Sequence, residues 1–539
     1  MKLSAVQLRL RDARSQNSGF LAVALGAFTF AAVTCNGLTA TQDTTEPIWP
    51  TNGWQTSPPE EQGMDSRQLV ALIDFGTKHS LDSLLIVRHG KIVTEAYYAP
   101  YEASIPHAVN SVTKAVISTL TAIAWKDGLL DSPDHRVLDF FDAHKVANLD
   151  DRKTAVTVQN LLNMTSGFDW TEPLIGYPFS MVAMERSPDW VKYVLDRPMP
   201  NAPGDVFNYN SGNPHVLSAI LTKLTGTTAL DYAKTKLFGP LGIKDVYWRQ
   251  DPQGNSSGGY GLYLEPRDMA KIGYLYLRDG VWEDKQLIPP AWIEQIEHAT
   301  VDMHTSWEPG LYYSNSFWTL PDKHIYMAVG HHRQVIMVFP DLDIVVVTTG
   351  RGGYSFSGFA NLVTAAVKSD TELASNPAGA KLLANKLLEA STQKRTEVSS
   401  ASSISAAISG KVYQFPPNGL RIKSLSLYLA DAWPHYTLET YPSDTTASLK
   451  FTGPIGFDGH YQKGELLYYG LSDRLEGSPR VTAAKGTWQG ENTLLIERLE
   501  LGQGEPAERW TLMFFGDNLS LLAQFPEGQD IFIQGQRGG

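Results

Sequence analysis

Cysteine is almost absent from this chain: Cys35 is the only one in 539 residues, so no disulfide can form within it. A basic surplus is absent too. Lys and Arg number 45 against 57 Asp and Glu, a net charge of −12. A protein that neutralises phosphates needs the opposite balance, so no nucleic-acid partner is expected. There is no phosphate-binding GxxxxGK[ST] loop, no HExxH and no CxxC, which removes the sequence basis for nucleotide or zinc chemistry, and no cofactor is expected. The strongest apolar run, Phe20 to Val33, is short for a membrane-spanning helix.

What is present starts with length. At 539 residues the chain exceeds one ordinary core, and 42% hydrophobic with 11% aromatic content is ample for two packed domains. Arg9, Arg11 and Arg14 precede the apolar run and Cys35 follows it, the order of an export signal. Ala32-Val33-Thr34-Cys35 resembles a bacterial lipoprotein cleavage site, although Thr34 departs from the small residue usual before the cysteine. The expectation is export to the periplasm or cell envelope, with Cys35 as a route to membrane attachment and an ordinary cleaved signal as the alternative.

The domain reading is residues 1–37 as signal, 38–53 as tether, 54–370 as a catalytic domain, 371–408 as a linker and 409–539 as an antiparallel β domain. SLLIVRHG and KIVTEAYYA read as strands joined at His89-Gly90. VIMVF and IVVVTT form a second hairpin around Pro340 to Asp343. Between them the pattern is mainly helical, which suggests a sheet built from both ends of the domain around a large helical insertion. After Ser409, short alternating runs such as HYTLETY, NTLLIERLEL and RWTLMFF suggest a barrel or sandwich.

The most informative stretch is Ser111-Val112-Thr113-Lys114. Positions three apart on a helix share a face, so Lys114 can lie beside the Ser111 hydroxyl. A desolvated ammonium loses proton affinity and becomes a general base. The residues behind it, Ala115, Val116, Ile117, Leu120, Ile123 and Ala124, read as a buried helix ended by Gly128. The motif is short, and a second copy, Ser391 to Lys394, stands in a polar stretch with no apolar helix after it. Ser111 therefore needs partners.

Two segments offer them. PGDVFNYNSGN, Pro203 to Asn213, is a loop presenting Tyr209 before an apolar helix. A tyrosine hydroxyl near an ammonium is easier to ionise and can relay a proton, although packing alone would also account for it. Gly330-His331-His332-Arg333-Gln334 enters the VIMVF strand, where one amide can complete an oxyanion hole with that of Ser111. Neighbours on a strand face opposite ways, so His331 and His332 are not expected to share a metal. Gly254-Asn255-Ser256-Ser257-Gly258 matches GxSxG, but it lacks the preceding strand and following helix of a nucleophile elbow and reads as a flexible glycine loop.

In this order, with connecting text such as LLNMTSGFDW, LFGPLGI and PRDMAKIGYLYL, the chain from about Trp54 to Ser369 resembles the serine β-lactamase-related family. That family holds class C β-lactamases, DD-peptidases, related esterases and 6-aminohexanoate-dimer hydrolases. The last branch looks closest, because Ser211 stands where the lactamases carry asparagine. The resemblance implies an α/β (α+β) β-lactamase/penicillin-binding-protein-like fold with an inserted helical lobe, followed by the all-β domain. It implies Ser111 as acylated nucleophile, Lys114 as base, Tyr209 as proton relay, and the amides of Ser111 and Gln334 as oxyanion hole. Ser211, His331 and Arg333 would meet substrate. Arg333 replaces a glycine of the family pattern, which leaves open a narrowed cleft, a guanidinium for a substrate carboxylate, or an impaired site. Efficient β-lactam hydrolysis is therefore not expected.

The leading expectation is an exported serine hydrolase that forms an acyl-enzyme on a small ester, amide or short peptide. A binding or regulatory protein on a decayed site and a cell-wall DD-peptidase are the alternatives.

Overall fold

The computed structural model describes residues 48–442, 448–468, 478–525, 528 and 530–538. The segment expected as an export signal, with Cys35, and most of the expected tether lie outside the described residues. No helix among the described residues is long and apolar enough to cross a membrane.

The frame of the N-terminal domain is a sheet in which nine strands are described. From edge to edge it runs Gln55–Thr56, Lys91–Tyr97, Leu81–Arg88, Ile344–Gly350, Gln334–Phe339, Ile325–Gly330, Phe317–Leu320, Tyr312–Ser314 and Val301–Asp302. Both expected hairpins are present. His89 and Gly90, at φ 49° and 74°, make the tight turn of the first, since a turn that follows the strands' twist needs positive φ at both positions. The two hairpins join where Leu81–Arg88 pairs antiparallel with Ile344–Gly350. The two ends of the domain thus meet in one sheet around a helical lobe.

Side chains alternate between two cores. Leu85, Val87, Val345, Val347, Ile336 and Val338 pack on one face. Leu84, Ile86, Ile344, Val346, Val335 and Met337 pack on the other. Burial on both faces explains why these strands read as unbroken apolar runs rather than as alternating ones.

The hairpin of Phe317–Leu320 and Ile325–Gly330 was not expected from the sequence. Its apolar runs are short, and periodicity cannot separate so short a buried strand from a helical turn. The stretch expected as a linker carries helix Pro377–Ser391, whose Leu383 is buried against the N-terminal domain and whose Lys386 pairs with Asp74 at 2.6 Å.

The C-terminal domain is all β. Its ten described strands follow the order Lys450–Pro454, His435–Thr440, Ile422–Tyr428, Val412–Gln414, Asp530–Arg537, Asn518–Gln524, Glu508–Phe515, Thr493–Leu501, Pro479–Trp488 and Gln462–Tyr468. The sheet curls until it nearly closes. Past the first strand of that order, Gly456 bonds to both Ala484 and Gly486 of strand Pro479–Trp488, at 3.0 and 2.8 Å. The two domains meet along an apolar seam of Tyr101 and Ile105 against Ala483, Leu499 and Leu501.

Candidate active site

Helix Val112–Lys126 is buried from Val112 to Ala124 and runs behind the sheet. Asn110, at φ 50°, turns the chain into it, and Ser111 occupies the N-cap without using its hydroxyl to cap. That hydroxyl is free for another donor. Lys114 Nζ supplies it, donating to Ser111 Oγ at 2.8 Å and to Gly259 O at 2.8 Å. The ammonium also faces the Tyr209 ring, 4.9 Å from its centroid.

Lys114 is 1% exposed, and neither hydrogen-bond acceptor is a carboxylate. Burial without an adjacent counter-charge disfavours the protonated form. It brings the lysine down from 10.5 to about 8, against the opposing pull of the Glu172 charge. A group titrating there is half unprotonated within reach of physiological pH, as a general base requires.

Tyr209 lies at the end of an irregular loop held by its asparagines. Asn208 bonds to Trp170 O, and Asn210 Oδ1 accepts the amides of Gly212 and Asn213 that open helix Gly212–Thr225. The Tyr209 hydroxyl is within hydrogen-bonding reach of Ser111. The expectation that the nearby ammonium eases its ionisation is reversed. Burial, reinforced by the Glu172 charge, pushes Tyr209 well above the usual phenol value. It is a proton donor at neutral pH, not a phenolate.

Ser111, Lys114 and Tyr209 are therefore brought together, and the remaining expected residues are placed around them as follows. Ser211 is fully buried, with its amide and hydroxyl both donated to Glu172, at 2.8 and 2.5 Å. These bonds tie the end of the Tyr209 loop to Glu172. Gln334, expected to give an oxyanion amide, is buried at the start of its strand in register with Gly330, its side chain donating to Gly350 O. The same turn is tied to the residue before the nucleophile: Asn110 Nδ2 donates to His331 O at 3.2 Å.

Arg333 is half-buried and packs its guanidinium on aromatic rings. Its Nε donates to Tyr354 O at 3.0 Å, and the guanidinium lies 4.2 Å from the Phe356 ring centroid, with Trp307 and Tyr354 beside it. His332 and Arg333 are both left-handed, at φ 57° and 64°. Side chains with a Cβ lose about 1–2 kcal/mol each in that conformation, so the turn persists only because its surroundings fix it.

Sequence reasoning missed two contributors. Glu172 accepts from Trp170 Nε1 and from Ser211, and is the carboxylate whose charge acts on both Lys114 and Tyr209. Nothing in WTEP marks it without the fold. Gly259 follows directly on the GxSxG match, and that loop is packed rather than flexible. Ser256 and Ser257 are buried, Ser218 Oγ donates to Ser256 O at 2.6 Å, and Trp248 Nε1 donates to Ser257 O at 2.7 Å. A buried His215–Asp251 pair, 3.0 Å apart, continues the support: Asp251 gathers Asn255, and His215 Nδ1 accepts the Gly258 amide. The second Ser-x-x-Lys copy starts on the last, exposed residue of helix Pro377–Ser391. No cluster of His, Cys, Asp and Glu suited to a metal lies among the described residues.

A wall of aromatics flanks Tyr209. Trp318 stands 6.3 Å from it, and Trp307 and Phe356 stand 6.2 and 5.9 Å from Trp318. The site thus offers a hydroxyl with an adjacent buried amine, a protonated phenol and an apolar border.

Comparison with known proteins bears on the family and the fold. The family model described as Beta-lactamase matches residues 71–366. A 6-aminohexanoate-dimer hydrolase of Paenarthrobacter ureafaciens is 23% identical over an alignment of 285 residues that covers 49% of this chain and 71% of that protein. A solved Bacillus anthracis protein, described as a candidate 6-aminohexanoate-dimer hydrolase, superposes with a TM-score of 0.50 at 18% identity, covering 60% of this chain and 89% of its own. A hydrolase with promiscuous acyltransferase activity gives a TM-score of 0.47 at 18% identity over 56% of this chain and 99% of its own. With the family model spanning more than half of its length, the chain belongs to the β-lactamase family of serine hydrolases.

Proposed function

We propose that the chain hydrolyses a small ester or amide through an acyl-enzyme on Ser111, with Lys114 as base and Tyr209 as proton donor. The observation that carries this reading is the 2.8 Å bond from Lys114 Nζ to Ser111 Oγ in a lysine brought down to about 8.

Unprotonated Lys114 takes the Ser111 proton as Oγ attacks the substrate carbonyl. The oxyanion is met by the Ser111 amide, which has no partner within its helix, and by an amide of the His331–Gln334 turn. Of these, the His331 amide belongs to the residue fixed to Asn110. Collapse of the tetrahedral intermediate breaks the bond to the leaving oxygen or nitrogen, which takes the Tyr209 proton, and the phenol is restored from the Lys114 ammonium. Water then attacks the acyl group by the same route in reverse, and Ser111 regains its proton. The relative from Paenarthrobacter, named for the 6-aminohexanoate dimer, favours a small amide substrate. The aromatic border favours an apolar acyl group.

Export is part of this reading, supported by Arg9, Arg11 and Arg14 ahead of Phe20 to Val33, with Cys35 placed to carry a lipid. Palmitate labelling that Cys35→Ser abolishes tests the anchor.

The activity is tested with p-nitrophenyl esters and the matching p-nitroanilides. Turnover by the full chain that falls at least about 10³-fold in Ser111→Ala is expected. Equal turnover by the two proteins would refute the assignment.

A further inference from the structure

We propose that the C-terminal β domain completes the active site: its turn Gly502–Gly504 is a positioning element for catalysis. This rests on the Ser111 reading above and adds a role for the C-terminal domain.

The turn leaves strand Thr493–Leu501 and touches three segments of the catalytic domain in three consecutive residues. Gly502 O accepts the Ala108 amide at 2.7 Å. Ala108 is three residues before Ser111, in the short strand His107–Ala108, whose other neighbour is Leu262–Leu264. That short strand is thus held from the β domain as well as from its own sheet. Gln503 Oε1 accepts the Tyr263 hydroxyl at 2.7 Å, and Gln503 Nε2 donates back to Pro479 O at 3.0 Å. Tyr263 lies four residues beyond Gly259, whose carbonyl holds Lys114. At Gly504 an added Cβ would lie 3.4 Å from Gln334 Nε2 and 3.6 Å from His332 Nδ1. The turn therefore packs on His332 and Gln334, in the segment whose His331 is tied to Asn110.

Close approach is built into the sequence of the turn. Gly502 and Gly504 sit at φ 80° and 74°, and a Cβ on Gly502 would stand 2.1 Å from Pro106 O. Only glycine lets backbone meet backbone there. The apolar seam of Tyr101, Ile105, Leu499 and Leu501 supplies the adhesion between the domains. The glycine turn supplies contacts to the segments on which Ser111, Lys114 and the oxyanion turn depend. A displacement of about 1 Å in such supports costs about 10²-fold in rate, so the turn acts on the chemical step rather than on binding.

The test uses the full chain with Gly502→Ala, Gln503→Ala and Tyr263→Phe, read as kcat, KM, rate of Ser111 phosphonylation and Tm. Gly490→Ala is the control. It places a side chain at φ 82° in open space, in the turn between Pro479–Trp488 and Thr493–Leu501. It strains the β domain without touching the site. The expected result is a kcat and labelling rate lowered about tenfold or more by Gly502→Ala and about threefold by Gln503→Ala and by Tyr263→Phe, with KM within about twofold. Gly490→Ala should lower Tm and leave kcat unchanged. Should Gly502→Ala fail to fold, the two side-chain variants decide alone. Folded variants with wild-type kcat would overturn the proposal, as would a Gly490→Ala variant whose kcat falls in step with its Tm. A wild-type chain inert to esters and to fluorophosphonate would overturn the Ser111 reading itself, and this proposal with it.

Discussion

Replacing Lys114 by methionine separates the energetic cost of the base from its chemistry. Burial brings the lysine from 10.5 down to about 8, whereas the unfolded chain has the ordinary value. Below pH 8 both states hold the proton, and folding bears the full cost of the buried charge, about 3 kcal/mol. Between 8 and 10.5 the folded protein releases the proton while the unfolded chain keeps it, so stability rises with pH. Methionine keeps the bulk and removes the titration. Its fixed effects, such as the lost bond to Gly259 O, do not depend on pH. The stability of the wild type relative to Lys114→Met should therefore be flat up to about pH 7.5, then climb by about 1.4 kcal/mol per pH unit, reaching about 2 kcal/mol by about pH 9.5. Urea unfolding of both proteins at 25 °C across that range measures it, and groups shared by the two cancel. Parallel stability curves, or a rise that begins only near 10.5, would refute the account of the buried lysine.

The remaining predictions concern the reaction. The rate of acylation should rise tenfold per pH unit at low pH and level off above about 8, where Lys114 is unprotonated; a profile flat from 6 to 9 would contradict the assigned base. Glu172→Gln removes the charge that favours the ammonium, so the inflection should move to lower pH; an unmoved or raised inflection would show that Glu172 does not act on Lys114. Tyr209→Phe should cost about 10²-fold or more on a p-nitroanilide, whose nitrogen needs a proton to leave, and far less on a p-nitrophenyl ester, whose phenolate does not. Equal losses on both substrates would remove Tyr209 from the leaving-group step.

How much of this was legible in the sequence depended on whether the signal was local. Ser111 and Lys114 were, because one helical turn joins them and the apolar residues behind them declare a buried helix. Tyr209 was legible through its Asn- and Gly-rich loop, but its protonation state was not: that depends on Glu172 and on burial, and both come from residues distant along the chain. Glu172 itself was invisible, since a carboxylate in a loop acquires meaning only when Trp170 and Ser211 close on it. The strands Phe317–Leu320 and Ile325–Gly330 were missed because burial on both faces erases alternation. In the β domain, HYTLETY and RWTLMFF kept their alternation and were read correctly as strands. Pro479–Trp488 was missed, its Ala483, Ala484 and Gly486 giving no strong apolar signal. The place of Arg333 could not be read either. Its aromatic neighbours Trp307, Tyr354 and Phe356 come from two separate segments, and a guanidinium drawn onto their faces is not legible from the glycine replacement alone.

The central claim is that Ser111 becomes covalently acylated, and intact mass after reaction of the full chain with a fluorophosphonate tests it most directly. The account predicts one adduct on the wild type, mapped to the peptide carrying Ser111, and none on Ser111→Ala. A wild-type chain that stays unlabelled, or a label that survives in Ser111→Ala, would contradict it.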